Sequence, residues 1–590
     1  MCIRDRDSTT FDVSTAFLQG VEAPREVYAR APMDGLPATS LGRALKPRQI
    51  FRLRKAPYGL AEAPRLWYLK FREVLLNEGL TELKAFPAVF VKGDLAGDEM
   101  DIKKIMKKHV DLMVFLHVDD GLVLGDPKND SVAYITKKLN DAFPVKWQPL
   151  ERGKEPVKYL GIEIQREKDG SFVLKQTKYG LTLKSKLEKV EYPRKRAEEA
   201  PTPEELELGR SIIAQLAWAA RCTMPSRMIR VVHLQEEISR ATVKTITKII
   251  DLAREMEQEL NTGGSIRLSA DVNLDEPYVV TYSDASHGVE GGYKGRAGSV
   301  TFLSNKSCAT IETAAGIVQW ASNRIQRVCR STLAAEACAL AVALGEHLLC
   351  RRGFQALLYG SEPIPLMQDW RLALAVPGAV VIDAKALFDH LTSTASTPQD
   401  KHTLFDLLGV KELVNMGVVT VRWVPTVHQH ADCLTKELKM EADSLRIVVE
   451  RGTICLRARN AEEEEDERKK AAQRRETRQK SKMNTKENYK PSDRRNPGGE
   501  SAEWSTPADQ KKDSPPLICT LTRVAAHLVR EQTGKFLDKV FVRRETGAAQ
   551  LKAAHQQSGR QGRCLTVQAA QAGCRTGYCG GVSNSADTWK

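Results

Sequence analysis

At 590 residues, 42% of them hydrophobic, the chain is too long for a single core and apolar enough to bury several. Its formal charge of +14, from 89 Lys and Arg against 75 Asp and Glu, suits a polyanionic partner such as nucleic acid. Twelve scattered cysteines with no C-x-x-C pair argue against a disulfide framework or a zinc finger and for reduced thiols inside a cell. "MCIRDR" lacks the apolar core of a signal peptide, and the apolar run "LALAVPGAVVI" is broken by Pro377 and Gly378 and is too short to span a bilayer. The chain therefore reads as soluble, without a membrane partner.

In chain order, "TTFDVSTAFLQG" opens as a β-branched, aromatic strand carrying Asp12 between Phe11 and Val13, with Ala16, Phe17 and Leu18 behind it. Further on, Trp67, Phe71, Val74 and Leu75 share one face of a helix that ends at Gly79. "LMVFLHVDDGLVLGD" is a pair of apolar strands whose Asp119-Asp120-Gly121 reads as a hairpin turn. Two like charges held that close raise each other's pKa unless a cation sits between them. Taken alone, the pair also fits a solvated turn, because Asp and Gly are ordinary turn formers. In "KYLGIEI", Leu160, Ile162 and Ile164 alternate as a strand does, and Gly161 permits close backbone approach.

A charged, proline-containing connector fills residues 191–209, and residues 210–262 are mostly helical. Arg221, Arg227, Arg230 and Arg240 on those helices face either the phosphates of a nucleic acid or solvent. From Pro277 strands and helices alternate again. "YVVTYSDAS" ends a strand near Asp284, and Ser331 or Thr332 caps a helix carrying Glu336. "GAVVIDAKALFDHL" runs from an apolar, central strand into Asp383, and a helix begins near Asp432 after a strand ending at Val424. From Asn460 the sequence is too poor in apolar residues to offset its ordering entropy and reads as a disordered basic tail.

The strings "FDVSTAFLQG", "EVYARAP", "FRLRKAPYGLAEAPRLWYLKF", "FLHVDDGLVLGD" and "KYLGIEI" stand in an order that resembles the reverse transcriptase of copia-type LTR retrotransposons. The four later acids look like the Asp-Glu-Asp-Asp set of the ribonuclease H domain that follows it in such Pol polyproteins. The resemblance implies an α+β right-hand polymerase palm and thumb, then an α/β ribonuclease H-like domain. The expected divisions are residues 7–190 for palm and start of thumb, 191–265 for a helical thumb and connection, 277–457 for ribonuclease H and 458–590 for the tail.

By the same resemblance, Asp12, Asp119 and Asp120 are polymerase metal ligands, and Asp284, Glu336, Asp383 and Asp432 serve ribonuclease H. Each set would hold two Mg2+ (or Mn2+) ions, about 3.5–4 Å apart, for phosphoryl transfer. Phe17 corresponds to the steric gate that selects deoxynucleotides, although on its own it also reads as a core phenylalanine. Tyr58 and Gly59 correspond to the nucleotide pocket, and Gly161 to the primer-grip hairpin. Expected partners are an RNA template, a DNA primer, their hybrid and dNTPs, together with other Pol and Gag products in a cytoplasmic virus-like particle with access to the nucleus. The sequence departs from the pattern at Ala61-Glu62, where the family has Lys-Gln, and at His428 and His430, where it has no histidines. Those histidines read as solvated or hybrid-contacting rather than as ligands. Only eleven residues precede Asp12, where the family has fingers, so an N-terminally truncated chain is expected. A relic that binds nucleic acid without polymerising is the alternative reading.

Overall fold

Strand β1 (Asp7–Val13) enters a six-stranded antiparallel sheet whose members are assembled from the next 140 or so residues of chain. After it come α1 (Ala16–Gln19), the hairpin β2 (Val27–Arg30) and β3 (Ile50–Leu53), then α2 (Ala63–Asn77), β4 (Thr81–Glu82) and β5 (Val89–Asp94). The short α3 (Ile102–Ile105), the hairpin β6 (His109–His117) and β7 (Asp120–Gly125), α4 (Ser131–Ala142) and β8 (Val145–Pro149) complete the lobe. The strand order is β4-β5-β6-β7-β1-β8. The middle of β6, from Leu112 to Leu116, is apolar because both its faces are covered. Leu112, Val114 and Leu116 pack with Trp67, Phe71 and Leu75 of α2, while Met113 and Phe115 face a second core.

The computed structural model describes residues 7–35, 44, 46–190, 197–288, 295–362, 370–393, 398, 400–437 and 439–456. All belong to the unit Met1–Leu528; the unit Val529–Lys590 and the tail expected to be disordered lie outside the described residues.

A four-stranded sheet follows, built from β9 (Val157–Tyr159), β10 (Ile162–Arg166), β11 (Phe172–Lys175) and, beyond the helices α5 (Thr177–Leu187), α6 (Pro203–Cys222), α7 (Met228–Glu237) and α8 (Val243–Thr262), β12 (Ile266–Leu268). Helix α6 starts where a capping box says it should. Thr202 Oγ1 accepts from Glu205 N at 3.2 Å, the Glu205 carboxylate accepts from Thr202 N at 2.7 Å, and Pro203 occupies the first helical position.

The last lobe comprises β13 (Pro277–Ser286), β14 (Arg296–Asn305), β15 (Thr313–Ala314), β16 (Gly316–Arg324), α9 (Thr332–Tyr359), β17 (Gly378–Ile382), α10 (Lys385–Thr392), α11 (Lys401–Asn415), β18 (Thr420–Trp423), α12 (Lys439–Arg451) and β19 (Thr453–Ile454). Its main sheet runs β16-β14-β13-β17-β18, antiparallel from β16 to β13 and parallel from β13 to β18. The architecture is the expected one: an α+β palm and helical thumb followed by an α/β ribonuclease H-like sheet. Helix α9 is long and apolar enough to cross a membrane by length and composition, yet two thirds of its apolar window, 67%, is buried against this sheet and its neighbours. It serves as a core helix.

The lobes are fused rather than strung on linkers. One apolar cluster contains Phe115, Ile162, Leu216, Ile249, Tyr282 and Trp320, residues drawn from all three. Trp320 Nε1 donates to Ala220 O at 3.0 Å, and the Glu362 carboxylate accepts from Lys84 N at 2.7 Å and Ala85 N at 2.8 Å.

Local structure corrects the sequence reading in three places. The β6–β7 hairpin turns at Val118-Asp119, because Asp120 is already paired with His117 on one side and Asp12 on the other. Leu160 and Gly161 form a two-residue turn with φ of 54° and 80°, so Leu160 does not continue a strand. The helix expected near Asp432 is a single 3-10 turn, Asp432–Leu434, and α12 starts only at Lys439.

Candidate active sites

The palm site is assembled by register. Asp12 on β1 lies directly opposite Asp120 on β7, and Val13 N donates to Asp119 O at 2.9 Å, which fixes the hairpin tip against β1. Opposed residues of an antiparallel pair point to the same face, so the strand pairing itself brings two carboxylates together. Burial pushes Asp120 up to about 6, with the negative charges of Asp119 and Asp12 adding to the effect and Lys158 opposing it. The tip is held in an unfavourable conformation for a β-branched residue, with Val118 at φ 55°. Its carbonyl accepts the indole N–H of Trp67, which comes from the buried face of α2.

Tyr58 stands at the mouth of this site, 56% exposed, with its hydroxyl 3.4 Å from Asp119 Oδ2 as donor. Its ring leans on Phe17 at a centroid distance of 4.4 Å, and Phe17 itself is buried. Burial and the Asp119 charge raise the Tyr58 phenol above its usual range. Gly59 is exposed at φ 98°, a conformation natural to glycine. Gly161 sits over the Trp218 ring, where an added Cβ would meet Cζ2 at 3.3 Å. Glu62, in the departed Ala61-Glu62 pair, takes Arg25 Nε at 2.7 Å.

In the third lobe, Asp284 of β13, Glu336 of α9 and Asp383 at the end of β17 each offer an oxygen within 4.8 Å of the others. Among the described residues no other group of three acidic, His or Cys side chains is gathered so tightly, and Asp12, Asp119 and Asp120 are not. Asp284 is 1% exposed and Glu336 6% exposed. Burial, reinforced by the neighbouring carboxylates, raises Asp284 to about 7 and Glu336 to about 9. Glu336 Oε2 has no hydrogen-bond partner. A hard divalent cation fits this donor set, since it would satisfy the orphaned oxygen and remove the repulsion that raises both groups.

Asp383 is oriented by Thr426 Oγ1 at 2.8 Å and Gln429 Nε2 at 3.4 Å, and its own carbonyl accepts from Trp423 Nε1 at 2.9 Å. Asp432, the fourth acid, is 1% exposed and bonds Lys436 Nζ at 2.7 Å. Gln429, Trp218 and Lys436 were not singled out from sequence, and Trp67 was read only as a packing residue of its helix. Only Lys436 carried a readable signal there, its i,i+4 spacing from Asp432.

One expectation fails. His430 is not solvated: its ring packs on Tyr282 at 4.8 Å and Phe302 at 6.3 Å, and burial lowers it to about 4. Arg227 and Arg230, read from sequence as facing either phosphates or solvent, are half-buried and ion-paired. Arg227 pairs with Glu259 at 2.8 Å and Arg230 with Glu255, both on α8, whereas Arg221 and Arg240 are exposed.

Residues 4–201 match the family model described as reverse transcriptase (RNA-dependent DNA polymerase). Beyond that domain, the chain is similar to the retrovirus-related Pol polyproteins from transposon RE2 of Arabidopsis thaliana and transposon TNT 1-94 of Nicotiana tabacum. It is 25% identical to the first over 450 residues and 23% to the second over 456, in each case over 73% of this chain. It spans 26% and 30% of their lengths. The resemblance carried by the ordered strings is thus met by plant Pol polyproteins of the copia kind. Among solved structures, the foamy viral protease-reverse transcriptase in complex with double-stranded DNA aligns at TM-score 0.37 and 14% identity, covering 71% of this chain and 57% of that one. The N-terminal RNase H domain of Rv2228c from Mycobacterium tuberculosis aligns at TM-score 0.18 and 16% identity, over 29% of this chain and 99% of that one.

Proposed function

We propose that the chain is an RNA-directed DNA polymerase joined to a ribonuclease H. The observation that carries the reading is the gathering of Asp284, Glu336 and Asp383 within 4.8 Å at the end of two central strands, in a chain whose first part matches a reverse transcriptase. In this reading Asp12, Asp119 and Asp120 bind Mg2+ in the palm, and Asp284, Glu336, Asp383 and Asp432 bind it in the third lobe. Bound ions would supply Lewis acidity and an activated oxygen nucleophile. The residues do the rest: Asp120, opposite Asp12, holds the palm carboxylates on one face, and Thr426 and Gln429 aim Asp383. Phe17 and Tyr58 form the wall on which a deoxynucleotide sugar rests, Gly59 borders that pocket, and the Leu160-Gly161 turn approaches the primer. Template RNA, DNA primer, dNTPs and the hybrid are the substrates, and other Pol and Gag products in a cytoplasmic particle are the partners.

Primer extension on an RNA template and cleavage of a labelled RNA strand in a hybrid test the two halves separately. Asp119→Asn should abolish extension and spare cleavage, and Asp284→Asn should do the reverse. Cleavage that persists after Asp284→Asn would remove the ribonuclease H assignment.

A further inference from the structure

Four carboxylates, two of them all but inaccessible, converge at one end of β13 and β17, and a low-dielectric site cannot hold them all ionised without positive charge. Among the described residues, the one Lys or Arg within 4.0 Å of any of the four is Lys436. Its Nζ lies 2.7 Å from Asp432 Oδ1 and 3.6 Å from Asp284 Oδ2. The backbone sets it there: Thr435 N and Lys436 N both donate to Asp432 O at 3.0 Å, wrapping the segment into a turn that returns the lysine over the aspartate. Thr435 Oγ1 meanwhile donates to Asp284 Oδ2, the oxygen that Lys436 also approaches. The Lys436 side chain is 39% exposed, so its tip has room to move on a flexible stem.

We propose that Lys436 is a positioning residue and a resident cation: it neutralises the carboxylates when no divalent ion is bound, and its charge weakens the binding of the ion nearest Asp284 and Asp432. This rests on the ribonuclease H reading of the site. The two contacts divide the roles. The shorter one orders Asp432 and persists when an ion is present. The longer one, to Asp284 Oδ2, competes with an ion for the same oxygen, because an ammonium and a divalent ion a few ångströms apart repel each other strongly in a buried site. The site is in this way kept folded when empty, at the expense of ion affinity.

The test uses the full chain in an Asp119→Asn background, so that the palm carboxylates do not mask the signal, and reads Mn2+ binding by titration calorimetry together with melting in EDTA and in saturating Mg2+. Lys436→Gln keeps a donor for Asp432 and removes the charge. It should bind Mn2+ at least about tenfold more tightly than Lys436 protein. It should also melt lower in EDTA and regain the parent melting temperature in Mg2+. Lys436→Arg, which keeps the charge, should bind Mn2+ as the parent does. Unchanged or weaker Mn2+ binding by Lys436→Gln, with equal loss of melting temperature in EDTA and Mg2+, makes Lys436 merely structural and overturns the inference alone. Mn2+ binding that survives Asp284→Asn overturns the ribonuclease H reading and the inference with it.

Discussion

The Phe17 ring lies beneath the Tyr58 ring, 4.4 Å between centroids, and only Tyr58 reaches the carboxylate of Asp119. The two aromatics therefore form one wall, with Phe17 as its buried footing and Tyr58 as its exposed top. In the proposed reading this wall meets the nucleotide sugar, so Phe17→Ala should let ribonucleotides be incorporated. It should also cost about 3 kcal/mol of stability, since it removes a buried ring. Tyr58→Phe keeps the ring and loses only the hydroxyl, so sugar selectivity should hold while extension slows. Single-nucleotide incorporation of dNTP against NTP, alongside denaturant melts, separates the two; unchanged selectivity in Phe17→Ala removes the gate.

Val118 presents a second local conflict, a β-branched residue at φ 55° in the turn that carries Asp119. Left-handed backbone costs such a residue about 1–2 kcal/mol, a cost that asparagine largely escapes. Val118→Asn should raise the melting temperature by a few degrees, on the order of 1 kcal/mol. Extension should fall, because the valine side chain that packs partly against the α2 core is lost. A variant that is both less stable and fully active would show that the turn is not strained.

These two sites also show what was legible in the sequence. The apolar runs of β6 and β7 and the ordered motifs announced the palm, since a strand covered on both faces reads as a continuous apolar stretch. The role of Gly121 did not. It reads as a turn glycine, yet it is a strand residue paired with Phe11 on one side and Leu116 on the other. A Cβ there would meet Phe11 Cζ at 2.0 Å, so glycine is required by packing between strands more than 100 positions apart in sequence. The same limit hid Gln429, whose partner Asp383 is 46 residues away, and the burial of His430. Side chains whose environment is made by distant segments carry no local signature, whereas caps such as Ser331 before α9 do.

His430 can now be separated from the metal-binding groups by experiment. Its Nδ1 is buried without a partner, and its ring fills an apolar space beside Tyr282 and Phe302. Exchanging a buried unsatisfied polar group for an apolar one of similar size is close to neutral, so His430→Leu should change stability by less than about 1 kcal/mol. Mn2+ binding and hybrid cleavage should remain. Loss of Mn2+ binding in this variant would make the histidine a ligand, against both the sequence reading and its packing.

The raised carboxylates give the ion-free protein a definite pH dependence. Asp284 sits at about 7 and Glu336 at about 9, both above ordinary carboxylates, so between pH 4 and those values the folded chain binds more protons than the unfolded one. Their contribution to stability is therefore fully present at low pH and is lost as pH rises through 7 and then 9. His430, lowered to about 4, acts oppositely: its contribution is present above the ordinary histidine range and is lost as pH falls towards 4. In EDTA the melting temperature should thus decline from about pH 7.5 to pH 9, above the range in which an unfolded histidine takes up protons and His430 contributes the opposite slope. Glu336→Gln should flatten that decline, and Asp284→Asn should lessen it, because the Asp284 charge helps to hold Glu336 up. Saturating Mg2+ should flatten it in the parent, since an ion that binds only the ionised carboxylates stabilises the fold most where they repel most. Melting curves at several pH values, with EDTA or Mg2+, read the outcome directly. An ion-free melting temperature that rises across this window in the parent, and not in Asp284→Asn, would mean that the carboxylates are ionised and compensated without any metal.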